Sequence, residues 1–176
     1  MPPPASDFLL RRAHPDEADA VGALTVAGYD ADGYLVMPDG SYDHHYAGWL
    51  ADGGTRARDG VLMVAVDGDH LLGTVTWCPP GSPFRELSTH DDQAEFRMLS
   101  VAPEARERGV GSALVDWCIA EARSTGIAEI LLSSLPEMLP AHRLYESRGF
   151  MRRADLDWSP FPGVELWGFS LDLVGE

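Results

Sequence analysis

The sequence predicts one α/β domain built on a mixed sheet of about seven strands flanked by about four helices. Three observations predict it. A chain of 176 residues with 45% hydrophobic and 23% charged positions suits a single globular domain with a sizeable core. Segments with helical apolar spacing alternate with short strand-like apolar runs. Gly- and Pro-rich punctuation separates them, with no internal repeat and no low-complexity tract beyond the Pro-rich start.

Residues 1–7, which include Pro2, Pro3 and Pro4, are expected to fray, leaving 8–176 as the domain. Residues 8–12 form an apolar run ending in charge, a first strand. Pro15, Asp16 and Glu17 start a helix, with Pro early and acids in the first turn. Ala18, Val21 and Leu24 carry it to about Ala27. Residues 29–40 are rich in Gly and Asp and read as a loop. Ser41 is positioned to cap a second helix with Tyr42, His45, Tyr46, Trp49 and Leu50 on one face, ended by Gly53 and Gly54.

A hairpin follows: residues 61–66, a turn at Asp67-Gly68, and a return over 71–77. The Pro-rich residues 79–83 stop it, and a polar loop runs to Gln93. Residues 95–101 form a strand closed by Pro103. A helix over about 109–124 places Val110, Ala113, Leu114, Trp117 and Cys118 on one face, and Gly126 ends it. A strand over 127–133, a helix over 140–148 stopped by Gly149, and strands over 150–154 and 164–171 complete the order.

Charge and composition exclude several function classes. Lys plus Arg total 13 against 28 Asp plus Glu, a net charge of −15. All the basic residues are Arg, and there is no Lys or Asn. An acidic chain lacks the broad basic face that phosphate-backbone binding needs, so nucleic acid is not an expected partner. No apolar run approaches the ~20 residues of a membrane span. The start has neither a basic n-region nor an apolar stretch, so no secretory leader is read there. Cys78 and Cys118 are too few for a disulfide framework and lack metal-ligand spacing, which points to a reduced, cytoplasmic protein. The adjacent pair His44-His45 does not face one site on a helix, so no metal is expected. Cys78 reads as a buried structural thiol.

The most informative stretch runs from Leu99 to Leu114: strand, turn with Gly109 and Gly111, then a helix start. A helix N-terminus leaves backbone N–H groups unpaired and carries partial positive charge, which makes an anion site. Arg106 and Arg108 add charge-assisted donors. A nucleotide-triphosphate loop would need a Lys that the chain lacks, and a dinucleotide fingerprint fails at Leu114 and lies too deep in the chain.

The pattern Arg106-x-x-Gly109-x-Gly111, after strand-Val-x-Pro, instead resembles the acetyl-CoA pyrophosphate loop of the GNAT (GCN5-related N-acetyltransferase) family. A second motif, Ala141-x-x-Leu144-Tyr145-Glu146-x-x-Gly149-Phe150, resembles that family's later helix, at a compatible spacing. Element order over nearly the whole chain matches as well.

The resemblance implies a mostly antiparallel sheet with a splay between the strands at 95–101 and 127–133. It implies transfer of an acetyl group directly from acetyl-CoA to a primary amine, here of a small molecule. Arg106, Arg108, Gly109, Val110, Gly111 and Ser112 would hold the pyrophosphate. Backbone groups of Leu99 and Val101 would pair with the pantetheine arm, with Ser133 and Ala141 beside it. Tyr145 would touch the cofactor and donate a proton to the departing thiolate. Glu95 would order a water that deprotonates the amine, with Asp91, Asp92 and His90 as rivals and a pairing with Arg97 as the structural alternative. Met138 stands where the family often has Asn, so Ser133 or Ser134 would have to replace that contact.

The acceptor site would be walled by residues 29–42, 79–92 and 158–163, where aromatics could clamp an apolar body and acids attract a cation. Two rival readings fit the same residues: an acetyltransferase of proteins or peptides, and a non-catalytic CoA-binding domain. A monomer or homodimer is expected.

Overall fold

The computed structural model describes residues 7–175, so all of the expected frayed stretch except Asp7 lies outside the described residues. The elements are β1 (Leu9–Arg12), a 3-10 turn (Pro15–Glu17), α1 (Ala18–Ala31), α2 (His44–Ala51), α3 (Gly53–Asp59), β2 (Val61–Asp67), β3 (His70–Cys78) and β4 (Gln93–Val101). After a second 3-10 turn (Pro103–Ala105) come α4 (Val110–Ser124), β5 (Glu129–Ser134), α5 (Leu139–Ser147), β6 (Met151–Phe161) and β7 (Val164–Asp172). The seven strands form one sheet in the order β1-β2-β3-β4-β5-β7-β6. Every neighbouring pair is antiparallel except β4 with β5.

Helices cover both faces of the sheet, and strand alternation explains how. On β2, Leu62, Val64 and Val66 pack with Val21 of α1. The residues between them, Met63 and Ala65, join the main core with Val110, Leu114, Val115, Cys118, Ile119 and Ala122 of α4. Burying a side chain such as Leu114 completely stabilises the fold by roughly 1.5–3 kcal/mol. Helix α1 approaches β4 closely because Gly28 has no Cβ; one added there would collide with the Ser100 hydroxyl.

The seven strands and their succession along the chain agree with the sequence reading; the helices differ in detail. Five α-helices are present among the described residues where about four were expected. Helix α1 runs on to Ala31, so Tyr29 and Asp30 are helical. Asp43, not Ser41, caps α2 by accepting from the Tyr46 amide at 2.9 Å. Gly53 and Gly54 begin α3 instead of ending α2, because Asp52 accepts from the Thr55 amide at 2.9 Å and from its hydroxyl at 2.7 Å. Strand β6 extends through Trp158 to Phe161, so the segment expected to be a connection is half of a hairpin that turns at Gly163.

Candidate active site

Strands β4 and β5 pair only where Gln93, Ala94 and Glu95 meet Glu129, Ile130 and Leu131. Beyond that point they diverge, and the β5-facing edge of β4 from Phe96 onward has no strand partner among the described residues. The expected splay is therefore present. On its other edge β4 carries a bulge, with Met98 and Leu99 together opposite Val75. Met98 takes a positive φ of 56°, a strained conformation for a side chain of that size.

A cavity of about 680 Å³ fills the gap. One end is the start of α4. Glu107 and Gly109 adopt left-handed φ values of 65° and 81°, and the turn they make leads the chain straight into the helix. Only from Ala113, whose amide donates to Gly109 at 3.0 Å, does the helix satisfy its own donors. The amides of Val110, Gly111 and Ser112 come before that first donating amide and have no helical acceptor, and all three residues line the cavity. These are fixed, unpaired donors at the positive end of a helix dipole, the arrangement that suits a polyphosphate.

Of the residues singled out in the sequence, Leu99, Val101, Arg106, Gly109, Val110, Gly111, Ser112, Ser133, Ala141 and Tyr145 all line this cavity. Arg106 is held at its rim by Asp32 at 2.7 Å and the Gly28 carbonyl at 3.1 Å. Arg108 is different. Its guanidinium pairs with Asp67 at 3.2 Å and Asp7 at 2.8 Å, toward the β2–β3 turn, and it is absent from the lining.

Tyr145 projects from α5 into an aromatic nest, with Phe96, Phe150 and Phe169 ring centroids at 5.7, 5.9 and 6.1 Å. Its hydroxyl makes no hydrogen bond among the described residues while its side chain reaches the cavity. Burial pushes the phenol well above its ordinary pKa, reinforced by Cys118 and Tyr34, so it stays protonated and able to donate. Met138 lines the cavity beside Ser133 and Ser134. The Ser133 hydroxyl accepts from the Trp158 indole at 3.1 Å, and Ser134 lies 3.1 Å from the His142 ring nitrogen.

Glu95 has a geometry that local spacing did not foreshadow. It is 1% exposed, lies outside the cavity lining, and accepts from the amides of Glu86, Leu87 and Ser88 and from the Ser88 hydroxyl at 2.6 Å. A carboxylate gathered by three amides and a hydroxyl fastens the loop to β4. Its same-face neighbour Arg97 instead pairs with Glu86 at 2.9 Å. Cys78 is fully buried, and burial pushes its thiol up to about 12, far from a nucleophilic thiolate.

The profile of the acetyltransferase (GNAT) family matches residues 26–150. The chain belongs to that family. A mycothiol acetyltransferase of Cellulomonas flavigena is 30% identical over 148 residues, 78% of this chain and 42% of that relative. The chain spans less than half the length of the mycothiol acetyltransferases it matches. Among solved structures, yncA of Salmonella typhimurium, determined with its cofactor acetyl-CoA, superposes with a TM-score of 0.66 at 16% identity, covering 97% of this chain and 96% of that one. A ribosomal-protein-alanine N-acetyltransferase of Brucella melitensis also gives 0.66, at 20% identity, covering 94% and 99%. At these identities the structural likeness concerns the fold. No described helix is long and apolar enough to cross a membrane.

Proposed function

We propose that this GNAT-family domain moves the acetyl group of acetyl-CoA directly to a primary amine of a small molecule. One observation carries the reading: a single cavity joins the unpaired amides of the α4 N-terminus, the unpartnered edge of β4 and the free hydroxyl of Tyr145. Those parts fit a ligand that has a pyrophosphate, an amide-bearing arm and a thioester in that order.

Each part has a physical task. The amides of Val110, Gly111 and Ser112 bind the pyrophosphate, with Arg106 at the rim. The free backbone groups of β4 around Leu99 and Val101 hold the arm as an added strand would. Ser133 and Ala141 form the facing wall. Acetyl-CoA supplies the activated acyl carbon when bound. Tyr145, kept protonated by burial, hydrogen-bonds the departing thiolate and hands it a proton as the C–S bond breaks.

Two features favour a small acceptor over a peptide. Tyr29, Tyr34, Met98 and Met138 line the cavity and belong to one cluster with Leu35, Leu50 and Phe84. The loop after α1 is braced across that end by a bridge between Val36 and Tyr42. An aromatic, braced pocket suits a compact body more than an extended chain.

Substituting Tyr145→Phe tests the assignment. Thiol release should fall by about 10²-fold or more, the usual scale of a lost general acid. The Kd for CoA should stay within about twofold, since the phenol acts on the transition state. Unchanged turnover would remove Tyr145 from the mechanism.

A further inference from the structure

We propose that the acceptor of this domain carries a carboxylate beside its primary amine, in the manner of an amino acid with an apolar side chain, and that Arg97 binds that carboxylate. The inference rests on the reading that the domain acetylates a primary amine, and it names the class of that amine.

The charges in the cavity wall are unevenly placed. Four lining residues are charged: Asp32, Arg97, Arg106 and Glu107. Three of them stand together at the phosphate end. Arg106 and Glu107 lie in the turn that leads into α4, and Asp32 pairs with Arg106 at 2.7 Å. Arg97 stands apart on β4, just past Glu95, the last residue of β4 that pairs with β5. Its neighbour Phe96 has its ring centroid 5.7 Å from that of Tyr145, and its other neighbour Met98 lines the cavity. At the reacting end the wall is therefore aromatic and apolar with one charge among its lining residues, and that charge is positive. Residues 29–42 and 79–92 add no acid there: of their carboxylates only Asp32 lines the cavity, at the phosphate end.

The Arg97 guanidinium is held in place but not saturated. Glu86 pairs with it at 2.9 Å. The Phe84 carbonyl accepts from its Nη1 at 3.3 Å, the only hydrogen bond the side chain makes among the described residues. The Phe84 ring centroid lies 5.5 Å from the guanidinium carbon. A guanidinium carries more N–H donors than these contacts use. The side chain is only 20% exposed, so bulk water serves few of the rest. Among the described residues the one buried side-chain nitrogen or oxygen both sealed and unpartnered is Arg85 Nε. The open donors of Arg97 therefore face accessible space, and Arg97 lines the cavity.

A planar fork of open donors matches a carboxylate, which it can take with two parallel hydrogen bonds. Glu86 offsets part of the Arg97 charge, so donor geometry recognises the ligand together with charge. A carboxylate anchored on Arg97 leaves the amine of the same molecule free to reach the thioester beside Tyr145. Its apolar body then packs on Tyr29, Tyr34, Met98 and Met138, which line the cavity within one cluster that also holds Phe84. A polyamine finds no anionic wall at this end.

The test compares matched pairs that differ only at the carboxylate: phenylalanine with phenylalaninamide, and methionine with methioninamide. Tyramine and spermidine serve as amines without a carboxylate. Thiol release from acetyl-CoA gives kcat/KM for the wild type, Arg97→Gln and Arg97→Lys. The wild type should favour each acid over its amide by about 10- to 100-fold, the worth of a charge-assisted pair. In Arg97→Gln that preference should fall to about twofold or less, chiefly through KM, while the Kd for CoA stays within about twofold of the wild type. Arg97→Lys, which keeps a point charge without the fork, should retain an intermediate preference. The ratio within a pair is insensitive to a packing defect that slows every amine alike. An unchanged ratio in Arg97→Gln therefore overturns the proposal and makes Arg97 only a partner for Glu86. So does a wild type that uses the amides, tyramine or spermidine as well as the acids, a result that leaves the acetyltransferase reading standing. A wild type that binds CoA but releases no thiol with any of these amines overturns that reading together with the proposal.

Discussion

At the scale of single residues, side-chain direction decides function more than side-chain type. Arg106 and Arg108 flank the same turn, two positions apart, and look equivalent in the sequence. In the structure Arg106 lines the cavity and Arg108 turns away to Asp67 and Asp7. The difference has a measurable consequence. Arg106→Ala should raise the Kd for CoA about tenfold, the worth of one charge-assisted contact of ~1.4 kcal/mol, whereas Arg108→Ala should move it less than about twofold. Isothermal titration with CoA separates the two, and equal effects would mean that Arg108 reaches the ligand despite its ion pairs. Arg56 makes the same point from inside the fold. It is fully buried and pairs with no carboxylate among the described residues: the Thr76 and Thr25 hydroxyls at 2.8 Å and the Leu50 carbonyl at 3.1 Å accept from it. Burial pulls its pKa down to about 10, yet it remains a cation at neutral pH and ties α3 to α1 and β3.

At the scale of elements, junctions are held by polar clamps. Arg11 of β1 grips Glu17 with two bonds of 2.8 and 2.7 Å, and Glu17 also accepts from the His14 amide at 2.7 Å. The Arg11 bond is the main cause that lowers the Glu17 pKa to about 2 from 4.5. A carboxylate lowered in the folded state adds stability above its unfolded pKa and loses it as pH falls through the folded one. The melting-temperature gap between wild type and Glu17→Gln should therefore be full at pH 6, shrink below about 4.5, and close near pH 2. A gap independent of pH would deny the clamp. Elements written in local spacing were legible: the hairpin at Asp67-Gly68, the α4 stripe and the Gly109 turn all rest on neighbours within a few residues. Helix α3 was not, because two glycines read as a stop while the Asp52 cap that overrides them is a single hydrogen-bonding side chain. The role of Glu95 was not legible either. Its partners lie seven to nine residues upstream on a loop whose return over β4 no periodicity encodes.

At the scale of the whole molecule, a net charge of −15 coexists with a cavity that opens on unpaired amides and has Arg97 and Arg106 in its wall. Two acids, Asp32 and Glu107, also line it, and Asp32 is engaged on Arg106; outside the lining Asp67 pairs with Arg108 and Glu86 with Arg97. The cavity itself follows from topology, since one parallel pair in an otherwise antiparallel sheet separates after three residue pairs. That gap brings the α4 turn and Tyr145 of α5, distant in sequence, to one space. Under the proposed function this space serves acyl transfer to a small amine. Mass spectrometry of the products, after incubating the protein with acetyl-CoA and a library of primary amines, tests it most directly. The expected result is an N-acetylated amine formed in step with free CoA. Binding of CoA with no acetylated product from any amine would contradict it.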